Sequence, residues 1–353
     1  MKGRIAGFDL ARGLAVFGMV LVNFKFVLGL EGSEEGPLGF LAAAFDGRAA
    51  ATFVILSGIG VSLLSEKARR APEAAALWDC RMTLLKRAAF LGVLGFLDNL
   101  LWVGDILHFY AVYLAIAACL LRASDRALLA GAALSVAAFA GLFVFLDYEQ
   151  GWDWEAMAYL GPWAPAGLLR HLFFNGFHPV FPWLAFFLVG LVLGRREWSE
   201  AFALRLVVGG LAATLAAEGL SAALAGWAAD GTPDGDWCAL LFGTQSMPPT
   251  PLYLASGGGS ALALIGACIA VRGRWPGAWA APLENAGRLA LSLYILHVVA
   301  GMGLLAAFDA VETATLPLVV VWSAGFYAAA VAAAWGWTRR FEHGPLEALM
   351  RRV

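Results

Sequence analysis

Asn23, Asp46, Asp105, His108, His178 and His297 are polar or ionisable side chains set in otherwise apolar runs. Together they hold the parts of a general acid–base site. An imidazole titrates near neutrality and can take and return a proton, a carboxylate can orient it, and an amide can donate to a developing oxyanion. Arg12 and Arg288 add planar guanidinium groups of the kind that grip phosphate, and Arg48, two residues after Asp46, is grouped with them. Each residue also has a structural explanation. Asp9 and Arg12, three residues apart on a helix, can neutralise each other. Asp46–Gly47–Arg48 can be a self-paired turn, His108 an aromatic-belt residue, and His178, before Pro179, an interfacial helix start. His297 can hydrogen-bond between helices. It is the hardest to reduce to packing, because a histidine within the membrane needs a partner. The four cysteines (Cys80, Cys119, Cys238, Cys268) show neither metal spacing nor a clear disulfide pairing, so no metal is expected. No Ser–His–acid spacing or phosphate loop is evident, and Gly257–Gly259 reads as a helix-packing site.

The elements that position these residues follow from composition. The chain has 353 residues, 61% hydrophobic and 14% charged, against about 25% charged in soluble domains. A net charge of −2 gives no support to a nucleic-acid partner. The stretch Arg4–Phe24, RIAGFDLARGLAVFGMVLVNF, exceeds the roughly 20 apolar residues that cross a bilayer. Asp9 and Arg12 interrupt it and no small-residue cleavage site follows, so it is expected to stay as the first span. Ten spans are expected, at about 5–28, 43–65, 82–101, 103–122, 126–147, 178–195, 202–228, 251–271, 285–308 and 316–338. The fold class is an all-α polytopic membrane bundle, a single domain over residues 1–353.

Charge sets the expected orientation. With the N-terminus inside, the inner loops collect Lys67, Arg69, Arg70, Arg81, Lys86, Arg87, Arg122, Arg126, Arg195, Arg196, Arg272 and Arg274, and the tail 339–353 adds Arg339, Arg340, Arg351 and Arg352. The outer segments collect Glu31, Glu34, Glu35, Asp147, Glu149, Asp153, Glu155, Asp230, Asp234, Asp236, Asp309 and Glu312, with Arg170 the basic exception. By the positive-inside rule both termini are cytoplasmic. The longest outer segment, about 148–177, is rich in Trp and Phe and broken by Pro162 and Pro165; it reads as an interfacial segment or as a lid over an outward-facing pocket. At about 1.5 Å per residue, Asn23 lies near the outer end of the first span, and Asp46 at the outer start of the second. Asp105 and His108 open the fourth, His178 opens the sixth, and His297 lies past the middle of the ninth. Five spans thus place polar groups in the outer half.

The first helix, FDLARGLAVFGMVLVN, with Arg12 and Asn23 eleven residues apart, resembles the opening of the YeiB-like bacterial membrane proteins and of heparan-alpha-glucosaminide N-acetyltransferase. FDGRAAATFVILSGIG, GDILHFYAV, HPVFPWLAFFLVGLVLGR and MPPTPLYLASGGGSAL are similar to later segments of that group. LSLYILH resembles a Leu-Tyr-x-x-His run of the glucosaminide enzyme and sets His297 on a residue important there, and FEHGPLEALMRRV is similar to the YeiB-like ending. The resemblance implies a transmembrane acyltransferase of the bacterial inner membrane that takes acetyl or a similar acyl group from cytosolic acyl-CoA. It implies an acceptor at the outer side, a small molecule, glycan or lipid, with membrane lipid around it and a homodimer as one candidate assembly. The first outer loop, LGLEGSEEGPLG, lacks the histidine of the glucosaminide enzyme, which leaves His178 or His297 as the base. Asp46 or Asp105 would orient it, Asn23 would donate to the oxyanion, and Arg12, Arg288 and Arg48 are the candidate acyl-CoA contacts. A transporter or flippase with a polar outer vestibule is the alternative, and a non-catalytic scaffold a third reading.

Overall fold

Apolar residues with small ones spaced among them form α1 (Ala6–Val27), the helix that carries Asp9, Arg12, Asn23 and Lys25. It is followed by α2 (Gly36–Ala43), α3 (Arg48–Leu64), α4 (Glu66–Arg70), α5 (Ala74–Asp98), α6 (Leu107–Leu120) and α7 (Asp125–Phe145). Two short strands, β1 (Trp152–Asp153) and β2 (Ala158–Tyr159), pair antiparallel before α8 (Pro165–Arg170), α9 (Val180–Leu193), α10 (Glu200–Ala229) and α11 (Pro251–Arg274). The chain closes with α12 (Ala281–Arg288), α13 (Ala290–Leu296), α14 (Gly303–Ala307), α15 (Leu316–Thr338) and α16 (Pro345–Arg352). The computed structural model describes residues 5–30, 36–229, 240–307 and 314–353. The acidic residues Glu31, Glu34, Glu35, Asp230, Asp234, Asp236, Asp309 and Glu312, and Cys238, lie outside the described residues.

The ten expected apolar stretches all fall on helices, but they do not all span alone. Among the described residues seven helices are long and apolar enough to cross a membrane, or eight if the bent pair Pro165–Asn175 and Val180–Leu193 is one span. The stretch 82–101 falls in α5, whose first half carries Asp79, Arg81, Lys86 and Arg87. The stretch 103–122 shrinks to the 14 residues of α6, about 21 Å of rise against a hydrocarbon core about 30 Å thick. Length and composition therefore support seven or eight spans.

The chain resolves into two compact units, one of residues 1–53, 198–210 and 260–352, the other of 54–197 and 211–259. In the first, α1 packs against α12 and α15. A Cβ on Gly287 would overlap the Asp9 carbonyl oxygen, and one on Gly13 the Leu283 carbonyl oxygen. Small residues here let two backbones meet, as in close helix pairs within lipid. Tyr327 of α15 donates its hydroxyl to the Gly13 carbonyl at 2.6 Å. The ninth apolar stretch is broken between α12 and α13, and Glu347 of α16 accepts the amide N–H groups of Leu291 and Ser292 at 2.8 and 3.1 Å. A carboxylate at that helix start satisfies donors that have no partner within the helix and complements its dipole. The tail sequence GPLE thus has a structural use. After α13 the helix widens into a π-helical turn, His297–Met302.

In the second unit α5 packs along α6 and α7 along α9. Gly95 of α5 is what lets the loop before α6 lie close: a Cβ there would overlap the His108 backbone nitrogen and reach Asp105 Oδ2 at 2.7 Å. The segment 148–177 is folded around buried Asn175, which ends a second π-helical turn, His171–Asn175. Its amide nitrogen donates to the Tyr148 and Gln150 carbonyls at 2.8 and 2.9 Å, and its Oδ1 accepts from the Tyr159 hydroxyl at 3.0 Å. Trp152 donates to its backbone carbonyl at 2.8 Å. Beneath lie Phe139, Phe143, Tyr148 and Phe174, an aromatic cluster that anchors the segment to α7. Trp154, Leu160 and Trp163 remain exposed, which suits a segment at a membrane interface.

Candidate functional site

In the first unit the structure joins two residues separated by 274 positions. Asn23, near the end of α1, lies with its Nδ2 2.9 Å from Nε2 of His297. The other ring nitrogen of His297, Nδ1, meets the Tyr294 backbone carbonyl. A carbonyl only accepts, so Nδ1 carries the hydrogen, Nε2 carries the lone pair, and Asn23 donates to it. His297 is fully buried, with Phe24 and Tyr294 against its ring and the π-helical turn beginning at its own position. Such turns are rare and occur disproportionately at functional sites. Asn23 is only half-buried, and the rest of its amide has no hydrogen-bond partner among the described residues.

Around this pair the charged residues sort by level. Lys25, two residues beyond Asn23, is buried and donates to Asp46 Oδ2 at 2.5 Å. Asp46 therefore pairs with an ammonium group, and His297 is oriented by a backbone carbonyl. Arg48 opens α3 at the same end and donates to the Ala43 carbonyl at 3.4 Å. Eleven residues back along α1, about 16 Å by helical rise, Arg12 holds Asp9 at 3.1 Å. Gly287 sits against the Asp9–Gly13 turn that carries Arg12, which brings neighbouring Arg288 to that level. Arg288 donates to the Glu342 carbonyl at 2.8 Å, tying α12 to the tail, while the guanidinium of Arg12 is part-exposed. So Arg12 and Arg288 mark one end of α1, and Asn23, His297, Lys25, Asp46 and Arg48 the other.

The second unit holds the remaining candidates. Asp105 Oδ2 lies 2.6 Å from Nδ1 of His108 and accepts the His108 backbone N–H at 3.1 Å. Asp98, the last residue of α5, has its side chain within reach of Asp105. His171, which opens the π-helical turn, stacks on His108 with ring centres 5.4 Å apart. His178 lies beyond Phe109, 6.2 Å from that ring, and takes the Tyr113 hydroxyl on its own backbone carbonyl at 2.6 Å. Among the described residues no group of three His, Cys, Asp or Glu side chains is set to hold a metal ion. Three participants escape a reading of the sequence. Lys25 sits in an apolar helix close to its end, Asp98 looks like the polar end of a span, and His171 is hidden in an aromatic segment. The seven-residue spacing of Asp98 and Asp105 across a turn was the available signal for one of them.

Apolar helices in this number and length define a multi-pass membrane protein. Residues 4–221 match the family described as heparan-alpha-glucosaminide N-acetyltransferase, catalytic, and residues 191–353 match the family described as protein of unknown function (DUF418). The first match covers well over half of the chain, and the protein belongs to that membrane acyltransferase-type family, in its YeiB-like group. No curated protein and no solved structure matches the chain.

Proposed function

We propose that the protein is an acyl-CoA-dependent acyltransferase of the bacterial inner membrane, with both termini cytoplasmic. It moves an acetyl or similar acyl group to a small-molecule, glycan or lipid acceptor at the outer side. The observation that carries this reading is the part-buried Asn23–His297 hydrogen bond at 2.9 Å, its Asn23 on the same helix as Arg12. At the inner end the donors that Asp9 leaves open on Arg12, with Arg288 beside it, suit the phosphates of CoA; acetyl-CoA is the donor that the family name favours. At the other end Nε2 of His297 already carries a lone pair, so the imidazole is held in the form a general base requires. The acceptor's hydroxyl or amine takes the place of Asn23 at Nε2 and loses its proton there as its oxygen or nitrogen bonds to the acyl carbon. The released Asn23 N–H turns to the thioester oxygen as charge develops on it. The carbon–sulfur bond then breaks, and the proton held by His297 ends on the CoA sulfur.

The test is consumption of acetyl-CoA by the purified full-length protein, with His297→Ala and His178→Ala run together. His297→Ala is expected to lose about 10²–10⁴ in rate, the usual contribution of a general base. Acetyl-CoA binding and the activity of His178→Ala should persist. Loss confined to His178→Ala would move the base to that residue. Full activity in both variants would remove histidine catalysis from the account.

A further inference from the structure

Asp98, Asp105 and His108 lie together in the second unit, and their exposures are 4%, 0% and 1%. They come from the end of α5, the loop after it and the first turn of α6. Asp98 lies within reach of Asp105, and because two ionised carboxylates can only accept, a hydrogen bond between them needs a proton held between the two. Asp105 Oδ2 also accepts the backbone N–H of His108 at 3.1 Å. With that oxygen as the acceptor, His108 Nδ1, 2.6 Å away, carries hydrogen and Nε2 carries the lone pair. That Nε2 is buried and has no hydrogen-bond partner among the described residues, and the same is true of Asp98 Oδ2.

The walls are aromatic. Phe96 of α5 stacks on the imidazole at 5.3 Å and Phe109 meets it at 4.0 Å. The titratable groups that face the cluster are His171 of the π-helical turn, stacked on His108, and His178 on the far side of Phe109. Behind His171 stands Tyr159 of β2, which is hydrogen-bonded to Asn175 and to Arg170, and behind His178 stands Tyr113 of α6.

We propose that Asp98, Asp105 and His108 form a proton-binding site, separate from the His297 site, that loads and unloads one proton at His108 Nε2. With one proton between the carboxyls and one on Nδ1, the three side chains carry a net charge of −1. A proton on Nε2 brings the sum to zero as an Asp105–His108 ion pair. Burying a net charge is unfavourable, and pairing it inside a dry, hydrogen-bonded cluster relieves that penalty. Carboxylate and imidazole chains at membrane depth do this work in proton relays. The proton comes from a hydroxyl, an amine or hydronium, and no other bond is made or broken. The cluster includes neither Asn23 nor His297, so this proposal and the acyl-transfer reading fail separately.

Two spectroscopic readouts on the full-length protein test it. Nitrogen-15 NMR of labelled histidines, with the His108 signal identified by its loss in His108→Gln, should show hydrogen on Nδ1 in the wild type. Asp105→Asn places an amide donor against Nδ1 and should reverse the tautomer to Nε2–H. Infrared spectra at neutral pH should contain a protonated-carboxyl band that Asp98→Asn removes while the helical content stays unchanged. An Nε2–H tautomer in the wild type, or a carboxyl band indifferent to Asp98→Asn, would overturn the proposal. Both of those measurements stand even if Asp105→Asn does not fold.

Discussion

Asp46→Asn probes the Lys25–Asp46 ion pair, which the structure sets beside the Asn23–His297 site. Lys25 Nζ lies 2.5 Å from Asp46 Oδ2, with the lysine side chain 4% exposed and the aspartate 31%. Removing one member of a fully buried pair costs about 3–5 kcal/mol, because the other charge is stranded. An exposed pair contributes about 0–1 kcal/mol. Here the charge left behind is the buried one, while water reaches the aspartate side. The expected cost of Asp46→Asn is therefore intermediate, about 2–3 kcal/mol. Lys25→Met should cost less, since the stranded aspartate is partly hydrated, and Lys25→Met combined with Asp46→Asn should be more stable than Asp46→Asn alone. The assay is thermal unfolding in detergent followed by circular dichroism across the four proteins of the cycle. Strictly additive shifts, or an Asp46→Asn protein as stable as wild type, would refute the pairing and return Asp46 to its expected place beside a histidine.

Two further outcomes follow from the ends of α1 and from the charge pattern. Arg12→Ala should weaken acetyl-CoA binding by about 1.5–3 kcal/mol, or about 10–150-fold by calorimetry, as loss of a charge-assisted hydrogen bond does; unchanged affinity would leave Arg12 a structural partner of Asp9. A single cysteine at position 350, in a protein without its native cysteines, should react with an impermeant thiol reagent only from the cytoplasmic side; labelling from the periplasm would reverse the orientation.

Much of the architecture was legible because membrane helices advertise themselves through length and apolarity. That is why all ten stretches are helical. The count was less legible, since a span is also a matter of where charge sits and where a helix stops. α5 begins well before residue 82 with charged turns, and α6 is held to 14 residues by the loop that Gly95 admits. The site was legible residue by residue and not as pairs. Asn23 and His297 stand out because each is polar in an apolar run, yet their contact joins distant helices through a close Gly13–Gly287 crossing that no local pattern encodes. Asp46 and Asp105 were the alternatives for orienting the imidazole of His178 or His297, and Asp46 lies at hydrogen-bond distance from Lys25. Asp105 meets His108, three residues on, which is neither of the two histidines expected as the base. The two π-helical turns, opening at His171 and His297, leave no sequence signature: the extra residue is fixed by tertiary packing.

Acyl transfer across the membrane can be followed in proteoliposomes, with acetyl-CoA labelled in its acetyl group and supplied only to the face that carries the C-terminal tail. Label should leave CoA and be recovered in an acceptor at the opposite face, and His297→Ala should abolish this while still binding acetyl-CoA. A wild-type protein that neither binds nor consumes acetyl-CoA, and that carries a solute across the bilayer, would contradict the account and make the protein a transporter.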